Sequence, residues 1–491
     1  LSFFYIGGLL PNGDASNYYK GARKLLLDGD LSVWSSRRPF MTVYLASILA
    51  ISKMSLSTAV AVIAGISAFS IAIYSATLRR SESLPVAIWA FVLLFFFYYR
   101  LLGTTLSENL GLTLGCIAFI YLWLAANERN RKLLYLGLFF ITLAQVTRSG
   151  AVLVLPALIV WGTFWLAAGA RQRLVTFIFS CCAVAVGFLF NRLLLEMGGS
   201  GIETGFSNFS FTIYGLSAGH GGWTQISKDY PEIMALAEPA RSQSIYALAY
   251  SNIINEPLKI MEALFRNLQL YVFTNGGLNI VTGSKAWLLV QIPTVIGVAW
   301  CIRFIRTPRY AMLLFALAGI LVSALFITED GGLRVFAATV PFSAAIAAVG
   351  LSIVQRQWHI NNASPELVTK KLLLATHSLS LLIIIGITLV ISIVPLDSMA
   401  LSKQKNTCSP GSRMITISYP ARSAIHVRQD GQRYSRYVPD ISVDEFHGSL
   451  RQNGRRRDWP KVDLLQTPYS LLSVGKYILL PTSSIIEDPP E

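Results

Sequence analysis

The chain has 491 residues, 53% of them hydrophobic and 14% charged, with a mean hydropathy of +0.53 and a formal net charge of +15. These figures exclude a soluble globular domain: many runs approach the roughly 20 apolar residues that span a bilayer, and in lipid such runs must be helical because each backbone group needs an internal partner. The positive charge is assigned to loop bias at one membrane face and to anionic lipid, not to nucleic acid.

The opening LSFFYIGGLL is too short to span and reads as the outer end of a first helix. A hydrophilic stretch follows from Pro11 to Pro39, the first outer loop (11–39). From Asp14, the apolar positions Ala15, Tyr18, Tyr19, Ala22, Leu25 and Leu26 recur at helical spacing, with Ser16, Asn17, Lys20, Arg23 and Lys24 off that face. Asp14 stands at the helix start, where an aspartate either caps the backbone or is free for chemistry. The pair Arg37 and Arg38 precedes the next apolar run.

Apolar runs then fall at about 40–53, 55–78, 85–102, 106–126, 133–147, 150–169, 174–195, 285–302, 310–328, 335–354 and 372–396. Between them, Arg79–Arg80, Arg129, Arg131, Lys132, Arg171, Arg173, Arg303, Arg306, Arg309, Arg356, Lys370 and Lys371 mark one side, which is read as cytoplasmic. The short loops opposite carry only Arg148 and Arg334. Glu108, Arg148, the large loop 196–284, Arg334 and the tail from 397 then lie together outside. Placing Asp14 there too requires an odd number of crossings between 40 and 78. Either 40–53 lies along the surface or re-enters, which is preferred, or Arg79–Arg80 sit outside.

Within the large outer loop, Gly215 to Pro231 is rich in glycine and carries His220, Trp223 and Tyr230, a composition suited to sugar or acceptor binding. Asn255-Glu256-Pro257 starts a helix. Leu258, Met261, Phe265, Leu268 and Val272 share one face, the pattern of an interfacial helix, or of a soluble one packed on its domain. The tail, 397–491, carries short β-like runs with turns at Asp430-Gly431 and Asn453-Gly454, and reads as a small extracytoplasmic α/β or β domain. The chain divides into a transmembrane domain, 1–396, and this C-terminal domain. The fold class is therefore an all-α polytopic membrane protein with about 11–13 membrane helices. Five cysteines without a paired spacing give no disulfide framework, and five scattered histidines give no zinc site.

The segments GDASNYYKGARKLLLDGDL and RRPFMTVYLASIL together resemble the first outer loop of GT-C glycosyltransferases, the protein O-mannosyltransferases and lipid A aminoarabinose transferases among them. Asp14, the amphipathic helix, Gly29-Asp30 and Arg38-Pro39 occur in that family's order. LLGTTLSENLGLTLGCIAFIYLWLA places Glu108 where relatives carry an acid. QVTRSGAVLVLPALIVW places Arg148 between two helices, and EDGGLRVFAATVPFSAAIAA supplies Arg334 and Pro341 in order. Many relatives have two adjacent acids at the first site. Here the second is Ala15, which weakens a paired-carboxylate metal site and leaves a divalent metal as a possibility the resemblance alone carries.

The resemblance implies a hexosyl- or pentosyltransferase working in the cell envelope. It would move a sugar from a polyprenyl-phosphate donor to a protein, lipid or glycan acceptor, without a required cofactor. Asp14 would be the general base and Glu108 a second catalytic acid. Arg38, Arg334, Arg148 and Arg37 would hold the donor phosphate, and Tyr18, His220, Trp223 and Tyr230 would line the acceptor side. Single displacement of this kind inverts the anomeric centre. The expected location is the bacterial inner membrane, with the site facing the periplasm or outside. The competing readings are a flippase for lipid-linked glycans, which predicts repeats and mid-membrane charges, and a non-catalytic scaffold.

Overall fold

The computed structural model describes residues 5–6, 10–11, 14–32, 34–198, 207–219, 222–274, 287–354 and 373–386, with short strands at 425–429, 433–437, 473–474 and 477–478. The chain divides into two compact units, one of residues Gly21–Leu396 and one of Leu1–Lys20 with Asp397–Glu491.

In the smaller unit, Tyr5–Ile6 (β1) pairs antiparallel with Leu10–Pro11 (β2), where the sequence suggested a helix end. Ile425–Gln429 (β3) pairs with Arg433–Tyr437 (β4), the expected Asp430-Gly431 turn lying outside the described residues, and Ser473–Val474 (β5) pairs with Tyr477–Ile478 (β6). The Asn453-Gly454 turn lies outside the described residues.

The helices follow in order: α1 (Asp14–Asp28), α2 (Pro39–Ile51), α3 (Leu56–Ser81), α4 (Leu84–Tyr98), α5 (Ser107–Glu128), α6 (Arg131–Thr147), α7 (Val154–Trp165), α8 (Ala170–Gly198), α9 (Ser207–Ser217), α10 (Gln225–Asp229), α11 (Ala240–Asn255), α12 (Pro257–Gln269), α13 (Trp287–Arg303), α14 (Pro308–Gly331), α15 (Val340–Val354) and α16 (Leu373–Gly386). Every apolar run read from the sequence has its helix. Among the described residues four helices are long and apolar enough to cross a membrane: Thr58–Ser81, Ser107–Glu128, Ala170–Gly198 and Pro308–Thr328. The chain is an all-α polytopic membrane protein.

α5 is the central helix, buried along its apolar length. Phe119 stacks on Trp123 at 5.3 Å and meets Tyr74 of α3 and Phe342 of α15 edge-on. Without a hydrophobic drive between helices in lipid, close packing has to come from small residues and hydrogen bonds. Gly115 supplies the first: a Cβ there would collide with the Ala338 carbonyl. Tyr74 supplies the second, its hydroxyl donating to the Pro341 carbonyl at 2.7 Å.

These contacts settle the course of residues 40–78. Ser67 of α3 bonds Thr113 of α5, and Trp123 Nε1 of α5 donates to Ser81 at the end of α3. The two helices therefore run parallel. Leu56 precedes Ser67 by eleven residues, about 16 Å at 1.5 Å per residue, so α3 starts beyond the level of Ser107. Arg38, just before α2, bonds Ser107 at the start of α5. α2 thus begins and ends at one end of the bundle and does not cross. At 13 residues it is about 20 Å long, short of the roughly 30 Å of hydrocarbon.

The opposite end is clamped by Arg309. Its Nε pairs with Glu82 at 2.9 Å and its Nη1 donates to the Ser81 carbonyl at 3.1 Å, while the Tyr310 hydroxyl donates to Glu82 at 3.0 Å.

Candidate active site

Pro39 opens α2 at its first turn, where a missing N–H costs nothing, and forces Arg38 out of helical geometry (φ −145, ψ 66). The forced turn separates the fates of the two adjacent arginines. Arg38 Nη1 donates to Ser107 Oγ at 3.1 Å, and Ser107 Oγ donates to Glu108 Oε2 at 3.3 Å. Arg37 instead faces Glu238, 3.8 Å away.

Glu108 is the second residue of α5, where the helix dipole favours a carboxylate. It is 1% exposed. Its Oε1 lies 3.4 Å from Arg148 Nη2 and 3.5 Å from Arg334 Nε. Both separations exceed the roughly 2.7–2.9 Å of a charge-assisted hydrogen bond, and Oε1 accepts no well-formed one. One buried carboxylate is thus held by two guanidiniums through charge, without being locked to either. Asn109 closes the turn before it, donating to the Thr104 carbonyl at 2.9 Å.

Small residues allow this convergence. Arg148 ends α6, and its Cβ lies 3.1 Å from where a Cβ on Gly111 would stand. Gly150 backs onto the Val335 carbonyl, in the short turn Gly332–Phe336 that carries Arg334. Arg148 is nearly buried, whereas Arg334 is 36% exposed and forms the open side of the cluster. Arg38, Glu108, Arg148 and Arg334, separate in the sequence, stand at one place. Ser107, which links the first two, was inside the quoted motif but not singled out. Its signal was its position beside a buried acid at a helix start.

Arg37, Trp223 and Tyr230 do not join that cluster. Arg37 and Arg241 flank Glu238, with Arg241 Nε and Nη2 donating to Oε1 at 3.0 and 2.9 Å. Burial raises the Glu238 carboxyl, but hydrogen bonds from Arg241 and Ser242 and the charges of Arg241 and Arg37 outweigh it, leaving the group below the usual carboxylate range. Burial lowers Arg37, opposed by Glu238. Trp223 and Tyr230 sit on a helical lobe with its own core of Phe211, Tyr214, Ile226, Ile245 and Ala249. Tyr230 packs edge-on to Tyr214 at 6.1 Å. His220 lies outside the described residues. Asp14 and Tyr18 belong to the smaller unit: Asp14 opens α1 and is half-buried, and Tyr18 is buried.

Among the described residues no group of three or more His, Cys, Asp or Glu gathers to hold a metal. Glu108 is already surrounded by cations, so this cluster is electrostatically unsuited to a divalent ion.

Among solved structures the chain is similar to an archaeal oligosaccharyltransferase. That protein is AglB from Archaeoglobus fulgidus, in complex with an inhibitory peptide and a dolichol-phosphate. The likeness covers 80% of this chain at 14% identity and a TM-score of 0.42, and concerns the path of the backbone alone. The chain spans about half of that protein, 52% of its length. No protein-family model matches, and no curated protein does.

Proposed function

We propose that this protein transfers a sugar from a polyprenyl-phosphate-linked donor to an acceptor on the side of the membrane where Arg38, Glu108, Arg148 and Arg334 converge. That convergence is the observation that carries the reading, together with the resemblance of the segments around Asp14, Glu108, Arg148 and Arg334 to GT-C glycosyltransferases. The donor lipid stays in the bilayer, and its phosphate meets the half-open Arg334. Arginine suits a phosphate because its fork binds two oxygens.

As the glycosidic bond breaks, negative charge grows on the leaving phosphate. Arg334, Arg38 and Arg148 offset it as preorganised cations in a water-poor site. Glu108 keeps the guanidiniums in place before the donor arrives, and the loose 3.4 and 3.5 Å contacts leave them able to turn toward phosphate oxygens. Asp14 takes the proton from the acceptor hydroxyl as general base. Asp14 opens α1, at the head of the segment whose resemblance to the GT-C first outer loop supports that role. Attack from the face opposite the phosphate inverts the anomeric centre. The acceptor is a protein, lipid or glycan, and the setting is a bacterial inner membrane with the site outside.

The test is transfer from a polyprenyl-phosphate sugar by the chain in lipid nanodiscs. Asp14→Asn should abolish transfer and leave donor binding unchanged; full activity would reduce Asp14 to a helix cap. Arg334→Ala should raise the KM for donor more than that for acceptor, and equal effects would make Arg334 structural. Chelators should have a modest effect, because the cluster repels a divalent ion; complete, metal-reversible loss would overturn this account of the site.

A further inference from the structure

Helix α12 is packed inside out for a helix in water. The residues it buries are Ala263 and Asn267, each 1% exposed, while Leu258, Met261 and Phe265 are 75, 61 and 62% exposed. A helix beside water hides its large apolar side chains and shows its small and polar ones. At 100° per residue the three exposed residues fall within about 60° of arc. Lys259, Glu262 and Arg266 occupy the neighbouring arc, between the apolar face and the buried side. The helix therefore has three faces: one on the protein, one apolar and open, one charged.

Its depth follows from a single hydrogen bond. Asn267 Nδ2 donates to the Leu325 carbonyl of α14 at 2.9 Å. Leu325 lies within the last turn of the apolar span Pro308–Thr328. On the same span Val322 is 45% exposed, and just beyond α12 Phe273 is 65% exposed. The open face of α12 thus turns away from α14 at the depth where that membrane helix ends, at the end of the bundle that carries Arg334.

We propose that α12 lies in the membrane boundary on the side of Arg334, with Leu258, Met261 and Phe265 among the acyl chains and Lys259, Glu262 and Arg266 among the headgroups. The occupant of the apolar face is lipid. The seat is coupled to the cluster: the segment after α12 carries Tyr271, whose ring meets Phe336 edge-on at 4.9 Å, two residues from Arg334.

The experiment uses the full chain in phospholipid nanodiscs, with Cys181, Cys182 and Cys408 replaced by Ser and a nitroxide attached at Met261→Cys or at Glu262→Cys. Collision with oxygen, which concentrates in lipid, is compared with collision with a water-soluble nickel chelate. Oxygen should dominate at position 261 and nickel at position 262. Nickel dominating at both positions would place the face in water and overturn the proposal. Protection from both reagents at 261 would show a protein surface covering it, and would overturn it equally. Neither outcome depends on whether the chain transfers sugar.

Discussion

Helices α5 and α8 are both apolar and long enough to cross a membrane, yet the apolar window of α5 is wholly buried and that of α8 only 17% buried. The difference lies in a few residues. α5 carries Glu108, Gly111, Thr113 and Gly115, each touching a neighbouring element. α8 turns Leu174, Phe177, Phe179 and Leu189 outward. In lipid, apolarity places a helix in the membrane but gives it no reason to be at the centre; small and polar residues do that. The helix able to hold a charged site is the one whose sequence is interrupted.

The contrast breaks most readily at Gly115. Leucine there puts its Cβ into the Ala338 carbonyl of the backbone leading into α15. A loss of more than about 4 kcal/mol is expected, read as failure to give a monodisperse, cooperatively unfolding protein in detergent. Next comes Glu108→Ala, which leaves Arg148 buried without its counter-charge. Removing one member of a buried pair costs about 3 kcal/mol or more, seen as a lower denaturation midpoint, and transfer should be lost as well.

A smaller effect belongs to Glu238. Its pKa in the folded protein is below the ordinary value, so its contribution to stability is present above about pH 4.3 and disappears as the pH falls through the lowered value. The melting temperature should drop across that acid window, and Glu238→Gln should flatten the drop. The smallest effect belongs to α8: Phe177→Leu, on the exposed face, should change stability by less than about 0.5 kcal/mol. A large loss there would mean that α8 is packed against a partner and is not the lipid-facing helix of the pair.

Much of this was legible in the residues. Hydropathy located the helices because an 18-residue apolar run has few alternatives in a membrane protein. Glu108, Arg148 and Arg334 were conspicuous as rare charges between apolar runs, and they do converge. The divergence of Arg37 from Arg38 was not legible, because two adjacent arginines look alike until Pro39 bends the backbone between them. Glu238 was equally hidden, since nothing in its own neighbourhood announces a partner two hundred residues earlier. The centrality of α5 and the inside-out packing of α12 depend on which face meets a neighbour, and periodicity names faces without naming what they meet.

The short helix α2 also decides on which side everything after it emerges. Because both of its ends open toward Arg38, α3 makes the first full passage after it, and α16, whose second turn holds His377 beside Tyr121 in the far half of α5, heads back. Lengthening α2 into a complete crossing would invert the parity of every later passage. It would exchange the compartments served by Glu108 and Glu82, and carry the clustered arginines to the wrong face of the membrane.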